Sequence, residues 1–348
     1  MRLFLVVFLF LLASCAQEPE KTKRVESASA NLCRYSQFLR IYKTPHGHRI
    51  EILNPDKKQA LFEFEVENGA THLAVMSATH IGMLSALHEE KRVVAISDIR
   101  YVFSSVIRER FRQNRVFELQ NESALSIDVL CRSKANYVIY SAFSGSFSQE
   151  NQLKKLGITC IPDYDWREQS ALGRAEWILL FGVLCDRLPE AMRLFKTIER
   201  AYQKPAQITY NVLKPEVISG NVTGDFWYAP AGESFMAEIF KKAGLSYVYA
   251  STKGTGSLAY SMEKIVQDGK DVKIWLNPGF SSKNDILMVN PKAKYLPFFQ
   301  SGKVFCYTHD ANKFWELSTL RPDWLVEDLT QIASGKTTKN LHFYKELR

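Results

Sequence analysis

Five aromatic side chains, Tyr101, Trp166, Trp227, Tyr228 and Trp315, stand in loops or just beyond strand-like runs. In an α/β protein such positions face the crevice outside the strand ends, where ring faces can wall a large planar ligand at little entropic cost. Each can equally be a core or rim aromatic. Trp227 and Tyr228, adjacent between Gly224 and Pro230, are not easily both buried, which makes this pair the foremost candidate. Arg174 can meet an anionic group through a bidentate contact, or it can pair with Glu168 or Asp165 at the start of its own helix. His80, at a strand-to-helix junction, can ligate a metal or hydrogen-bond a ligand; its alternative is a capping or buried imidazole. Enzyme chemistry finds no support. The chain has no GxSxG, HExxH or Walker A string, and Gly254-Thr255-Gly256 lacks the third glycine of a dinucleotide loop. A histidine-rich metal-ion loop is absent as well, so no catalytic residue and no resident metal are assigned.

The elements that must position these residues alternate in type. Strand-like Leu73-Ala74-Val75-Met76 is followed by a helical pattern over Thr79 to Glu89 and then by Arg92-Val93-Val94-Ala95-Ile96. Tyr137 to Tyr140 and Ile158 to Ile161 are further strands, with a helix from Ser148 to Leu156 between them. This is βαβ grammar, and right-handed crossovers give a mainly parallel sheet covered on both faces. Between Trp166 and Tyr202 apolar residues recur at three-to-four spacing, interrupted at Pro189, which predicts helices with the second opening near Pro189-Glu190. Strands return at Glu216 to Ser219, Ile274 to Asn277 and Lys303 to Tyr307, with helices over Ser234 to Ala243 and Pro322 to Ala333. The expected fold is α/β: two lobes with mainly parallel sheets, 32–184 and 205–348, joined by one long helix over 185–204.

The chain has 348 residues, 46% of them hydrophobic and 24% charged, which excludes disorder throughout and suggests two domains. With 45 Lys and Arg against 37 Asp and Glu the net charge is +8, mildly favouring anionic surfaces or ligands. The basic residues are scattered among acidic neighbours, so no nucleic-acid partner is expected. Arg2 followed by the apolar run Leu3 to Leu12 forms a signal peptide over 1–14, too short to span a bilayer. Leu12-Ala13-Ser14-Cys15 looks like a bacterial lipobox, in which Cys15 becomes the acylated N-terminus. The polar stretch to residue 31 then acts as a flexible tether. Asn121-Glu122-Ser123 and Asn221-Val222-Thr223 match the glycosylation sequon, without consequence in a bacterial lipoprotein. Of the remaining cysteines, Cys131, Cys160 and Cys185 sit in apolar runs and are expected to be buried small hydrophobes.

Several strings resemble one family. They are Arg92 to Ser97 followed by Tyr101, Ser77-Ala78-Thr79-His80, Leu172-Gly173-Arg174-Ala175-Glu176-Trp177, and Phe314-Trp315-Glu316 followed by Arg321-Pro322-Asp323. Together, in this order, they are similar to the helical-backbone substrate-binding lipoproteins of ABC importers, which carry cobalamin, haem or ferric siderophores. The resemblance implies a monomer that clasps its ligand in a cleft between lobes, with no cofactor of its own and the membrane reached only through the lipid. It gives Tyr101, Trp166, Trp227, Tyr228 and Trp315 the cleft walls, Arg174 a haem propionate or similar anion, and His80 a place beside haem iron. It also implies docking to the permease, with its ATPase, through one glutamate per lobe. Glu233 in Ala231-Gly232-Glu233-Ser234 and Glu150 in Ser148-Gln149-Glu150-Asn151 are the matching positions. A lipoprotein that binds a ligand or protein partner without a transporter is the alternative, and an exported hydrolase is a third.

Overall fold

The computed structural model describes residues 30–348, apart from 58, 68, 70–71, 144–146, 148, 205–213, 301 and 336–339. The signal peptide, Cys15, nearly all of the tether and Ser148 lie outside the described residues. Asn31 already belongs to the folded body: its side-chain oxygen accepts the Cys33 and Ile41 backbone N–H groups.

Period-two burial builds the first sheet. In β1 (Leu39–Lys43), β2 (His48–Leu53) and β3 (Ala60–Val66), the buried Leu39, Ile41, Ile50 and Ile52 alternate with more exposed neighbours, and the three strands pair antiparallel in chain order. This meander adds to the βαβ pattern read from the sequence.

The βαβ region follows as expected. β4 (Leu73–Val75), α1 (Ala78–Ala86), β5 (Val93–Ile96), α2 (Ser105–Arg112), β6 (Phe117–Glu118), α3 (Ile127–Ser133), β7 (Tyr137–Tyr140), α4 (Glu150–Lys155) and β8 (Thr159–Pro162) form a parallel sheet of order β6-β5-β4-β7-β8. β4 and β5 are buried along their whole length because helices cover both faces. Strand order reverses between β4 and β7. Cys160 and Cys185 are buried as expected, but Cys131 is exposed: α3 turns Leu130 inward, and the next residue lies about 100° around the helix.

The helical stretch is three helices, α5 (Ala171–Glu176), α6 (Ile178–Leu184) and α7 (Leu188–Gln203). Pro189 opens α7, where its missing N–H costs nothing. α6 is buried on every side and packs on α7 where Gly182 admits the Ala191 methyl. With sixteen residues, α7 is about 24 Å long and leads from the first half to the second.

The second half contains β9 (Glu216–Ser219), β10 (Asn221–Thr223), β11 (Phe226–Pro230), α8 (Phe235–Lys242), β12 (Ser246–Tyr247), β13 (Ser257–Ser261), α9 (Met262–Asp268), β14 (Ile274–Leu276), α10 (Lys283–Val289), α11 (Pro297–Gln300), β15 (Lys303–Cys306), α12 (Ala311–Leu317), α13 (Pro322–Ala333) and β16 (Lys345–Glu346). Its main sheet has the order β12-β9-β14-β15-β16, parallel except for the edge strand β16, and reverses between β9 and β14. A three-stranded antiparallel sheet, β10-β11-β13, accompanies it.

α12 returns to pack against α1 of the first half, and Gly82 makes the approach possible. A Cβ at Gly82 would lie 1.8 Å from the Glu316 carbonyl oxygen. The partner atom is backbone and cannot swing away, so Gly82→Ala should destabilise the protein by about 1–3 kcal/mol in urea unfolding. An unchanged midpoint would show that α12 does not pack this closely in solution.

Candidate ligand-binding site

Where the first parallel sheet reverses, a cavity of about 570 Å³ opens at the carboxyl ends of its strands. Met76 follows β4, Ser97 and Asp98 follow β5, Glu118 ends β6, and Phe143 lies in the loop after β7. This is the position at which α/β sheets form a crevice, because adjacent crossovers leave there in opposite directions. Tyr101 and Phe143 are its exposed aromatic walls, 57% and 67% accessible. Trp166 packs on Phe143 with ring centres 4.9 Å apart, and its indole N–H donates to the Ser141 carbonyl at 2.7 Å. Tyr101 thus lines the cavity, whereas Trp166 packs on Phe143 without being a lining residue. Phe143, Asn121, Glu118 and Glu122 were not selected from the sequence. The strand-end rule that points to Tyr101 also reaches Phe143, three residues beyond β7, whereas Asn121-Glu122-Ser123 carries no local signal beyond the sequon. Asn121 builds the turn: its side-chain oxygen accepts the Ser123 and Ala124 N–H groups.

Trp227 corrects the sequence reading. It is fully buried, with its ring 5.1 Å from Trp275 and 5.9 Å from Phe298. The reason is strand alternation: Phe226 and Tyr228 occupy the exposed face of β11 and Trp227 the opposite one. Trp227 Nε1 donates to the Ser219 carbonyl at 3.2 Å and Trp275 Nε1 to the Gly220 carbonyl at 2.9 Å. These indoles fix the turn at the reversal of the second sheet. Tyr228 remains half-exposed beside Asn221, its cross-strand partner. Trp315 is exposed on α12, edge-on to Tyr307 and Phe314.

His80 and Arg174 are also engaged inside the protein. His80 Nε2 lies 3.1 Å from Asp163 Oδ2, both side chains are fully buried, and the described residues contain no group of metal ligands. His80 is thus a buried imidazole facing a buried carboxylate, and it does not line the cavity. Arg174 Nε donates to the Asp165 carbonyl at 3.1 Å, and its guanidinium stacks on Phe235 of α8 at 4.2 Å. Burial lowers its pKa, against the attraction of Asp165, Asp163 and Glu168. It joins α5 to α8 and does not line the cavity at the first reversal. Burial raises the Asp165 carboxyl and the Asp163 charge adds to the effect, while Arg174 opposes it.

Two contacts tie the cavity rim to α12. Asn312 Nδ2 donates to the Arg100 carbonyl at 2.7 Å, and Trp315 follows one turn later on the same face. Glu316 Oε2 accepts the backbone N–H of Phe103 at 2.7 Å and of Ser104 at 3.2 Å, just ahead of α2. Burial pushes the Glu316 carboxyl up to about 7; the two amides pull it down, and Glu90 and Asp310 raise it further.

The two glutamates expected to dock are placed differently. Glu233 is half-exposed ahead of α8, yet its carboxylate accepts the Gly254 N–H at 2.9 Å and meets Lys253 Nζ at 3.1 Å, and these contacts lower its pKa. Glu150, in the first turn of α4, is half-buried in a groove against Leu61, Phe62 and Glu63 of β3.

With this geometry in hand, the chain belongs to the periplasmic binding protein family, whose model matches residues 73–311. The family consists of binding proteins rather than enzymes and carries ligands as cargo rather than as cofactors. Among relatives, an uncharacterized lipoprotein of Methanocaldococcus jannaschii is 30% identical over 199 residues, covering 55% of this chain and 46% of that one. A second lipoprotein of that organism is 20% identical over 228 residues, covering 61% and 56%. The chain thus spans about half the length of the curated relatives it matches. Among solved structures, a periplasmic haem-binding protein from Pseudomonas aeruginosa superposes with a TM-score of 0.60 at 13% identity, covering 80% of this chain and 98% of its own. An Fe3+-hydroxamate transport protein from Saccharomonospora viridis gives 0.56 at 16%, covering 82% and 98%.

Two outcomes follow from the packing. Trp227→Ala should cost about 3–5 kcal/mol in chemical denaturation, and Tyr228→Ala less than about 1 kcal/mol; equal costs would contradict the alternation on β11. Glu316 keeps its proton in the folded state where the unfolded chain has lost it. Its contribution is therefore full below pH 4.5 and is lost as pH rises through about 7. Glu316→Gln should flatten the fall in stability across that window by up to about 3 kcal/mol, read from melts at several pH values.

Proposed function

We propose that the protein is an extracytoplasmic, lipid-anchored substrate-binding protein of an ABC importer, taking a ferric siderophore, haem or cobalamin between its two lobes and delivering it to the permease. In this reading residues 1–14 are removed, Cys15 carries the lipid, 15–30 form the tether, and 31–184 and 205–348 are lobes joined through 185–204. The observation that carries it is the cavity at the first strand-order reversal, walled by Tyr101 and Phe143 and linked through Arg100 and Asn312 to the helix that bears Trp315. A volume of about 570 Å³ is in the range of ligand sites, and exposed rings at its rim suit a large planar or macrocyclic ligand. The test is titration of purified protein with haem, cobalamin and ferric siderophores, followed by visible spectra and melting temperature. A ligand at a hundred times its dissociation constant should add about 2.7 kcal/mol, and silence with all of them removes the ligand class.

A second reading is capture without a transporter; in the importer reading a permease arginine joins Lys253 and the Gly254 N–H at the half-exposed Glu233 carboxylate, whose remaining lone pairs are open to it. Glu233→Lys should then abolish uptake in reconstituted vesicles with affinity unchanged, and wild-type uptake would favour the second reading. Tyr101→Ala should weaken binding about tenfold, as measured by fluorescence titration, through loss of a stacking wall.

A further inference from the structure

The cavity at the first reversal has a charge pattern opposite to that of the chain. The whole sequence is net +8, yet the described residues lining the cavity include three carboxylates, Asp98, Glu118 and Glu122, and one guanidinium, Arg100. That guanidinium is closed on its own neighbour: Arg100 Nε lies 3.0 and 2.9 Å from the two Asp98 oxygens and Nη2 lies 2.5 Å from Oδ2. Asp98 also accepts the Arg100 backbone N–H at 2.8 Å. The pair is neutral overall, so the described lining keeps a surplus of two carboxylates, Glu118 and Glu122. Other cations nearby are held as well. Arg108 Nη1 donates to the Val102 carbonyl, and Arg167, stacked on Trp166, is paired with Asp56. Glu118 is exposed on the rim. Glu122 is half-buried and accepts the Ser141 N–H at 2.5 Å. Burial keeps its carboxyl above the ordinary range, against the pull of that N–H and of His80.

We propose that this cavity selects neutral or cationic metal chelates and rejects polyanionic ones. The inference rests on the ligand-capture reading above and deepens it. A concave, low-dielectric wall focuses the field of its charges, so the surplus carboxylates set the local potential despite the basic surface elsewhere. An anionic chelate entering here meets more carboxylates than guanidinium groups, and like charges brought together are a means of rejecting the wrong partner. Ser97, Gln120 and Asn121 supply neutral hydrogen-bonding groups to a ligand that carries no negative charge.

The test is quenching of intrinsic tryptophan fluorescence by three iron chelates of similar size: monocationic ferrioxamine B, neutral ferrichrome and trianionic ferric enterobactin. The cationic and neutral complexes should bind at least tenfold tighter than the trianionic one, with the gap narrowing as salt is raised. Glu118→Gln combined with Glu122→Gln should tighten the trianionic complex several-fold. Glu118→Gln alone, at an exposed position, gives the same sign if the double variant does not fold. Tightest binding of the trianion or of haem with its two propionates, or a gap indifferent to both substitutions, overturns the charge selection while leaving ligand capture intact. No binding of these chelates, haem or cobalamin overturns both.

Discussion

Buried carboxylates that collect backbone N–H groups from distant segments hold this fold together. Glu176 in α5 accepts the N–H groups of Arg34, Tyr35 and Ser36, and Glu168 accepts those of Gln37 and Phe38 with the Ser36 hydroxyl and the Trp177 indole. Asp328 in α13 does the same for His342, Phe343 and Tyr344 near the other end of the chain. Glu316 does so between α12 and the segment before α2. Backbone donors in such irregular segments lack ladder partners and must find acceptors. An ionised acceptor binds them about twice as strongly as a neutral one. Burial raises the pKa of all four carboxyls and the amides pull against it. A buried carboxyl, charged or protonated, tolerates its desolvation only when its oxygens are satisfied, so each of the four specifies one arrangement of the loop it holds.

The consequence for the site is a rigid seat beneath a more open rim. Segment 98–104 carries Arg100 and Tyr101 at the cavity and is held at its far end by Glu316 and through the Arg100 carbonyl by Asn312. At the second reversal the Trp227 and Trp275 indoles hold the Ser219-Gly220 turn, and Gly220 at φ 133° has room for no side chain against the Tyr228 carbonyl. Aromatic residues thus divide into two duties. Those with a buried N–H set backbone turns, and those with exposed faces, Tyr101, Phe143, Tyr228 and Trp315, are left for contact.

Net charge is a property of the composition, but the field in a cavity belongs to the handful of groups that line it. Lysines on solvated helix faces contribute little at a distance beyond the screening length, whereas Asp98 offsets at short range the one cation among the described lining residues. A basic chain with an acid-lined crevice follows from that difference in scale.

The periodic parts of the chain were determined by sequence. Tyr137–Tyr140, Glu216–Ser219 and Pro322–Ala333 are bounded as their apolar patterns predict, and the alternation of strands with helices yields the two parallel sheets. Period alone also contained the face assignment of Trp227, since neighbours on a strand must point apart, although which neighbour is buried depended on the antiparallel pairing with β13. The partners of His80, Glu316 and Glu233, and the stacking of Arg174 on Phe235, were decided only in three dimensions, whereas the Arg174 contact with Asp165 is local enough to be read from the sequence. Asp163 lies 83 positions from His80, and the amides that hold Glu316 lie more than 210 positions away. No local spacing encodes such pairings: loop closure between remote segments is set by how the sheets and α7 stack, and burial then decides which charges must find each other.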